Sequence, residues 1–299
     1  MLFLSGGTGT PKLLRGFKSV IDESEIKVVV NTADDIKLSG NLICPDIDSV
    51  LYTLAGIIDD EKWWGIEGDT FVTHNYLNEY DESEFMKIGD RDRATHIART
   101  KLLNMGKSLT ETTEIMADRM NIKATITPMT DDEVSTYIKT GEKGELHFQR
   151  WWVQNQGKGK IEEINFKGLE KASPSSKFKK MLKEEKKLII GPSNPITSIY
   201  PIISLGDIRE RLRNEVEVVA ISPMIGEEPV SGPARKLMEE FGLEPNSNGI
   251  LSFYQDFLDT LIVDEKDLNP PRNCITLDTL MNNPKKEIKL AEAIYEEIM

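Results

Sequence analysis

Basic residues are in short supply: 37 Lys and Arg face 50 Asp and Glu, a formal net charge of −13. So acidic a chain lacks the basic face of a general nucleic-acid binder. A small anionic ligand stays open, because a few N–H groups and cations in a cleft reverse the local potential. Cysteine is scarce too. Cys44 and Cys274 are too few for a disulfide framework or a cysteine-based zinc site, which points to a reducing interior. Long apolar runs are also missing. None approaches the ~20 residues of a membrane span. The first apolar stretch, Met1 to Leu4, soon meets glycine, unlike the core of a signal peptide. The expectation is a cytoplasmic protein with neither nucleic acid nor membrane as partner. Its 299 residues, 39% hydrophobic and 29% charged, suffice for one large α/β domain with an insertion, or for two domains.

What is present starts with the glycine cluster Ser5-Gly6-Gly7-Thr8-Gly9-Thr10-Pro11-Lys12. A buried strand runs into it and an apolar-periodic helix leaves it, with Thr10 as the expected N-cap and Pro11 as the first helical residue. Bare N–H groups at such a helix start form an anion site, with phosphate the usual anion. Gly7-Thr8-Gly9 supplies the G-x-G of a dinucleotide fingerprint, but Lys12 stands where the third glycine belongs. No Gly-Lys-Ser/Thr follows, so this is not a P-loop. The plain alternative is a glycine turn with no ligand.

A second buried strand over 26–30 ends in Asn31-Thr32-Ala33-Asp34-Asp35. Asn31 and Asp34 are placed to touch a sugar hydroxyl or a base, or else to cap a polar loop. In Cys44-Pro45-Asp46-Ile47-Asp48, the two aspartates alternate along a short extended segment before a helix capped by Asp48 or Ser49. Such a pair holds Mg²⁺ beside substrate phosphates, or serves as caps and dipole partners. The dense run Lys87, Asp90, Arg91, Asp92, Arg93 and His96 is rich in groups that hold an anion or move a proton. It reads equally as a salt-bridged helix start capped by Asp92, with His96 structural. Ser108-Leu109-Thr110-Glu111 is a capping box opening a helix to about residue 120. Segments 125–129, 135–139 and 145–153 alternate like strands.

The α/β pattern then resumes with strands over 187–190 and 216–221, later strand candidates over 261–263 and 274–276, and a last helix from about 288. The fold class is α/β: a Rossmann-like open parallel sheet with helices on both faces. Residues 1–64 and 176–299 are its expected nucleotide-binding domain, and 65–175 an inserted α+β lobe, helical first and then a small sheet. Four strands end in loops rich in Gly, Pro, Ser or Asn. In an open parallel sheet those ends share one edge, so residues 6–10, 31–35, 191–194 and 222–233 converge on one cleft.

Six patches in this order resemble the 2-phospho-L-lactate transferase (CofD) family of coenzyme F-420 biosynthesis. They are the Ser5-to-Leu14 loop, Asn31-Thr32-Ala33-Asp34-Asp35, the Cys44-to-Asp48 run, Gly89-Asp90-Arg91-Asp92, Gly191-Pro192-Ser193-Asn194-Pro195 and Pro229-Val230-Ser231-Gly232-Pro233. The likeness spans essentially the whole chain. It implies a homodimer and a Mg²⁺-dependent transfer from a lactyl-diphospho-guanosine donor to the deazaflavin Fo, giving F-420 without glutamates and GMP. Some bacterial members use a phosphoenolpyruvate-bearing donor, and the residues do not distinguish the two. By position, the resemblance implies that Asp48 and Lys87 contact Fo. It makes Gly6, Gly7, Thr8, Gly9 and Thr10, with Asn31, Asp34, Ser193 and Asn194, the cradle of the guanosine diphosphate. Lys12, Gly191 and Pro192 fall within the same motifs.

The chemistry suits these residue types. A ribityl hydroxyl attacks phosphorus as GMP departs, so positioning and charge stabilisation dominate. Mg²⁺ on Asp46 or Asp48 would clamp the diphosphate. Asp48 would orient the hydroxyl or take its proton, with Lys87 or Arg91 neutralising charge. Three rivals remain. A related branch resembles the gluconeogenesis-factor proteins, nucleotide-sugar-binding regulators without transfer; the 44–48 and 89–92 motifs lean against it. An NAD(P) oxidoreductase lacks support without the third glycine. A purely structural subunit would tolerate Gly9→Val. Trp63, Trp64, Trp151 and Trp152 either wall a flat ring or pack the inserted lobe.

Overall fold

The computed structural model describes residues 1–298 except 81, 227, 230 and 231. Val230 and Ser231 of the sixth motif therefore lie outside the described residues. In chain order, β1 (Leu2–Ser5) leads to α1 (Gly9–Phe17), β2 (Lys27–Val30), the hairpin β3 (Ile36–Leu38) and β4 (Asn41–Ile43), and α2 (Pro45–Leu54). Then come α3 (Val72–Glu79), α4 (Asp90–Asn104), α5 (Leu109–Arg119), β5 (Thr125–Pro128), β6 (Ser135–Thr140), β7 (Gly144–His147) and β8 (Ile161–Lys167). The remainder is α6 (Ser176–Glu184), β9 (Lys187–Ile190), α7 (Tyr200–Ile203), α8 (Ile208–Glu215), β10 (Glu217–Ile221), β11 (Met224–Ile225) and β12 (Glu228–Pro229). It closes with α9 (Ala234–Glu240), α10 (Ser247–Tyr254), β13 (Thr260–Asp264), β14 (Ile275–Leu277) and α11 (Pro284–Ile298).

The main sheet has seven strands in the order β14-β13-β10-β9-β1-β2-β5, every pair parallel. Continuous apolar runs such as Leu2-Phe3-Leu4 suit strands covered on both faces. Side chains alternate between those faces. Leu2 and Leu4 join a core with Phe178 of α6, Ile202 of α7, Leu237 of α9 and Ile250 of α10. Phe3 joins the opposite core with Leu13 and Phe17 of α1, Ile47 of α2 and Leu290 of α11. The expected α/β fold with helices on both faces is therefore present. The chain leaves β1 toward β2 on one side, whereas β9 leads to β10 on the other, which opens a crevice at the carboxyl ends of β1 and β9.

Inside 65–175 the expected boundaries need correction. Residues 125–128 do not belong to a separate small sheet; they form the edge strand of the main one, paired from Lys27↔Thr125 to Val30↔Pro128. An alternating strand ending in proline suits a sheet edge, where one side needs no partner. The small antiparallel sheet is β7-β6-β8. Its Ile138 and Ile161, with Phe148 and Trp151, share the Leu2/Leu4 core, so it buttresses the main sheet. The expected strand over 145–153 stops at His147, and Arg150–Gln154 makes a π-helical turn that buries Trp151. Trp151 donates its indole N–H to the Lys158 carbonyl at 3.1 Å, a packing role. Tyr76 and Tyr80, by contrast, are 54% and 74% exposed. Among the described residues, no helix is long and apolar enough to cross a membrane.

Candidate active site

The crevice is built by two loops that lock onto each other. Helix α1 starts at Gly9, so Thr10 is not its cap and Pro11 is not its first residue. The Thr10 hydroxyl lies 2.6 Å from Ser193 Oγ, and Ser193 Oγ donates to the Gly6 carbonyl at 2.6 Å. Because the serine's one proton goes to that carbonyl, Thr10 must be the donor in their pair. The Gly6 N–H also donates to Ser193 Oγ, at 3.3 Å. Both hydroxyls thus join the loops to each other. The approach is close enough to require glycine: a Cβ on Gly9 would lie 1.9 Å from the Pro192 carbonyl oxygen, and one on Gly191 2.0 Å from Thr10 Oγ1. Asn194 is likewise structural, its Oδ1 accepting from Ile196 N at 2.9 Å and Thr197 N at 3.4 Å.

A carboxylate already sits against the glycine loop. Asp46, the second residue of α2, accepts from the Gly7 N–H at 2.8 Å and from Asn31 Nδ2 at 2.9 Å. Asn31 also donates to the Thr197 carbonyl at 3.2 Å and accepts from Ala33 N at 3.0 Å. Asn31 therefore ties three loops together. Asp34 is buried nearby, and its Oδ1 has no hydrogen-bond partner. Burial, and then the Asp46 charge, push the Asp34 carboxyl well above its ordinary range. Burial also raises Asp46, against the hydrogen bonds from Asn31 and Gly7. Both are buried carboxyls, the oxygen-donor type that a hard divalent cation takes. Among the described residues, the group of three whose ligand atoms lie within 4.8 Å of one another is Asp48, Asp92 and His96.

Asp46 and Asp48 meet different neighbours. They lie on the first turn of a helix rather than on an extended segment, and residues two apart on a helix face different ways. Asp48 turns to α4, where Arg99 engages both its oxygens and His96 Nε2 stands 3.3 Å from Oδ2. Burial alone would raise Asp48. The Arg99 charge and the His96 hydrogen bond outweigh it and hold the carboxyl at about 2. So low a group stays ionised at neutral pH and is a poor proton acceptor. His96 is pulled down by burial but raised to about 9 by its hydrogen bonds to Asp48 and Asp92.

The predicted cations engage other neighbours. Lys12 is half-buried, which lowers it, and its Nζ stands 4.6 Å over the Trp63 ring. Lys87 is exposed with Nζ 4.2 Å over Phe71, and the exposed Arg91 donates to the Glu67 carbonyl at 3.1 Å. Asp92 does not cap α4; Gly89 is its cap residue. Asp92 instead accepts from Tyr52 Oη at 2.8 Å and lies 3.2 Å from His96 Nε2. Sequence reading passed over Arg99. Its signal was the spacing Asp92, His96, Arg99, which puts all three on one helix face.

A family model described as 2-phospho-L-lactate transferase CofD matches residues 1–289. A 2-phospho-L-lactate transferase of Methanosarcina mazei is 48% identical, covering 99% of each chain. Proteins of the same name are 44% identical in Methanopyrus kandleri (97% of this chain, 95% of that one) and 39% in Methanococcus maripaludis (98% and 97%). In fold, the chain is similar to a UPF0052-family crystal structure from Bacillus halodurans, with a TM-score of 0.64 at 14% identity over 98% of both chains. With a match over nearly its full length, this chain belongs to the 2-phospho-L-lactate transferase CofD family.

Proposed function

We propose that the protein moves the 2-phospho-L-lactate group of lactyl-2-diphospho-5'-guanosine onto the terminal ribityl hydroxyl of Fo, forming F-420-0 and releasing GMP. The observation that carries this reading is the whole-chain family match. The geometry agrees with it. A glycine loop at a helix start, at the carboxyl edge between β1 and β9, suits the diphosphate.

Asp34 and Asp46 would hold Mg²⁺, a revision of the expected Asp46 and Asp48. Bound there, the cation would offset charge on the donor phosphates. Asp48, fixed by Arg99, would accept a hydrogen bond from the Fo hydroxyl and orient it. As the new P–O bond forms and the bond to GMP breaks, the hydroxyl proton needs a stronger base than Asp48. The departing phosphate, with a second pKa of ~6, is one. Lys87 would contact the acceptor at the exposed rim. A homodimer in the cytoplasm belongs to the same reading.

The test is titration of purified protein with Fo, by its fluorescence, and with GDP and Mg²⁺, by calorimetry, followed by assay of GMP release from the donor. Binding of both, with turnover, is expected. Affinity for a uridine nucleotide sugar and none for Fo would overturn the reading.

A further inference from the structure

A closed ring of buried polar groups joins α2 to α4. Asp48, Asp92, His96 and Arg99 are 4%, 9%, 2% and 1% exposed. Arg99 forks onto Asp48, with Nη1 3.1 Å from Oδ2 and Nη2 on Oδ1, while Nη1 also lies 3.4 Å from the Leu42 carbonyl. His96 Nε2 sits between Asp48 Oδ2 at 3.3 Å and Asp92 Oδ1 at 3.2 Å. Tyr52, one turn beyond Asp48 on α2, closes the ring by donating to Asp92 at 2.8 Å.

The ring balances two acids against an arginine and a histidine. Buried ion pairs of this kind add little to stability over well-packed apolar residues of the same size, so stability does not account for the ring. Its effect is on direction. A carboxylate oxygen accepts two hydrogen bonds. Among the described residues, Oδ2 of Asp48 receives Arg99 and His96, whereas Oδ1 receives Arg99 alone. A planar fork fixes the carboxylate plane as a point charge does not. On these contacts Oδ1 takes one hydrogen bond where it can accept two.

We propose that Arg99 and His96 are positioning residues of the transfer, holding Asp48 in one rotamer so that the open position on Oδ1 receives the hydroxyl of the deazaflavin acceptor. This rests on the reading above, in which Asp48 faces that acceptor.

The experiment compares wild type, Arg99→Met, Arg99→Lys and His96→Gln in Fo titrations, GDP titrations and steady-state turnover. Arg99→Met is expected to raise the KM for Fo ~10-fold or more, the loss of one charge-assisted bond, with GDP affinity within ~2-fold. Arg99→Lys keeps the charge without the fork and should shift the same constant, which serves if Arg99→Met does not fold. His96→Gln keeps an N–H toward Asp48 and should shift it least. If the variants lose melting temperature or active fraction but keep the wild-type KM for Fo, the role is structural and the proposal is overturned. If wild type itself binds no Fo, the functional reading falls and this proposal with it, an outcome visible before any variant is compared.

Discussion

Asp69 and Asp90 each cap the helix that the other precedes or opens. Asp69, ahead of α3, accepts from the Arg91 and Asp92 N–H groups in the first turn of α4, at 2.9 and 3.0 Å. Asp90, at the start of α4, accepts from Val72 N and Thr73 N in the first turn of α3, both at 2.9 Å, and from Thr70 Oγ1 at 2.6 Å. Each carboxylate satisfies donors that a helix start leaves open and meets the positive end of its dipole. The Gly89-Asp90-Arg91-Asp92 run, expected as a chemical patch, is therefore first a junction between two helices. Asp69→Ala should cost ~1 kcal/mol, the usual loss of an N-cap. Amide exchange should rise at both helix starts, because the two caps share one loop pair. Asp69→Ala with Asp90→Ala should then cost less than the sum of the singles, as coupled neighbours do. Exposed Arg91, replaced by alanine, should leave stability within ~0.5 kcal/mol. Strict additivity in urea unfolding would argue against the reciprocal arrangement.

The two loops of the crevice predict a different response. Gly9→Ala places a methyl 1.9 Å from a backbone oxygen that cannot rotate away, so α1 or the 191–194 loop must move. A loss of ~3 kcal/mol or more is expected. Ser193→Ala leaves the Gly6 carbonyl and the Thr10 hydroxyl without their partner, at ~1–3 kcal/mol. On the proposed reading, GDP affinity should fall in both, since each displaces the glycine loop assigned to the diphosphate. Chemical denaturation and calorimetry on the same samples check this. Unchanged GDP binding in folded Gly9→Ala would place the nucleotide elsewhere.

How far the sequence could be read depended on the range of the interactions involved. Strands β1, β2, β9 and β10 and the capping box at Ser108 are written in local pattern: short apolar runs, and a Ser with Glu three residues on, both halves of which form in the structure. Alternation marks 125–128 as a strand without naming its partner, so its place at the edge of the main sheet is not written in the local pattern. The contacts of the expected site residues are of longer range. Thr10 in the first turn of α1, and Asn31, Ser193 and Asn194 in loops, are polar residues, and sequence cannot tell a side chain that faces a ligand from one that joins two segments. That distinction is set by contacts across 187 positions, as between Gly6 and Ser193. The ion pair of Asp48 with Arg99 spans 51 positions and was invisible for the same reason.

The α2–α4 ring should make stability depend on pH at its alkaline end. His96 is raised from 6.5 in the unfolded chain to about 9 in the folded one. The folded state therefore binds the proton more tightly, and the stabilisation is fully present below pH 6.5 and lost as pH rises through about 9. His147 has the opposite sign. Burial lowers it from 6.5 to about 4, so its contribution is present above 6.5 and fades as pH falls toward 4. Its Nε2 donates to the Asp35 carbonyl at 3.1 Å while Nδ1 accepts from Gln149 N, which requires the neutral ring. Urea midpoints taken from pH 4 to pH 10 should fall at both ends. His96→Gln should flatten only the alkaline limb, and His147→Gln only the acid one. A single substitution that flattened both would contradict the separation of the two sites.

Asp34 and Asp46 set the sharpest expectation, because metal affinity and apo stability should move in opposite directions. In the metal-free protein, burial and the Asp46 charge penalise the Asp34 carboxylate, and its Oδ1 has no partner. Asp34→Asn replaces a carboxyl whose charged form burial and Asp46 disfavour with a neutral amide, so the apo protein should become more stable, visible as a higher melting temperature. In wild type, Mg²⁺ should raise the melting temperature with concentration, adding ~2.7 kcal/mol of stability at a hundred times its dissociation constant. Asp34→Asn should lose most of that response, and Asp46→Asn, which also disturbs the contact to the Gly7 N–H, should lose it and destabilise the loop as well. Asp48→Asn, whose carboxyl already faces Arg99, should keep the Mg²⁺ response. Were Asp48→Asn to abolish it while Asp34→Asn did not, the cation would belong with Asp48, and the revision of the metal pair would be wrong.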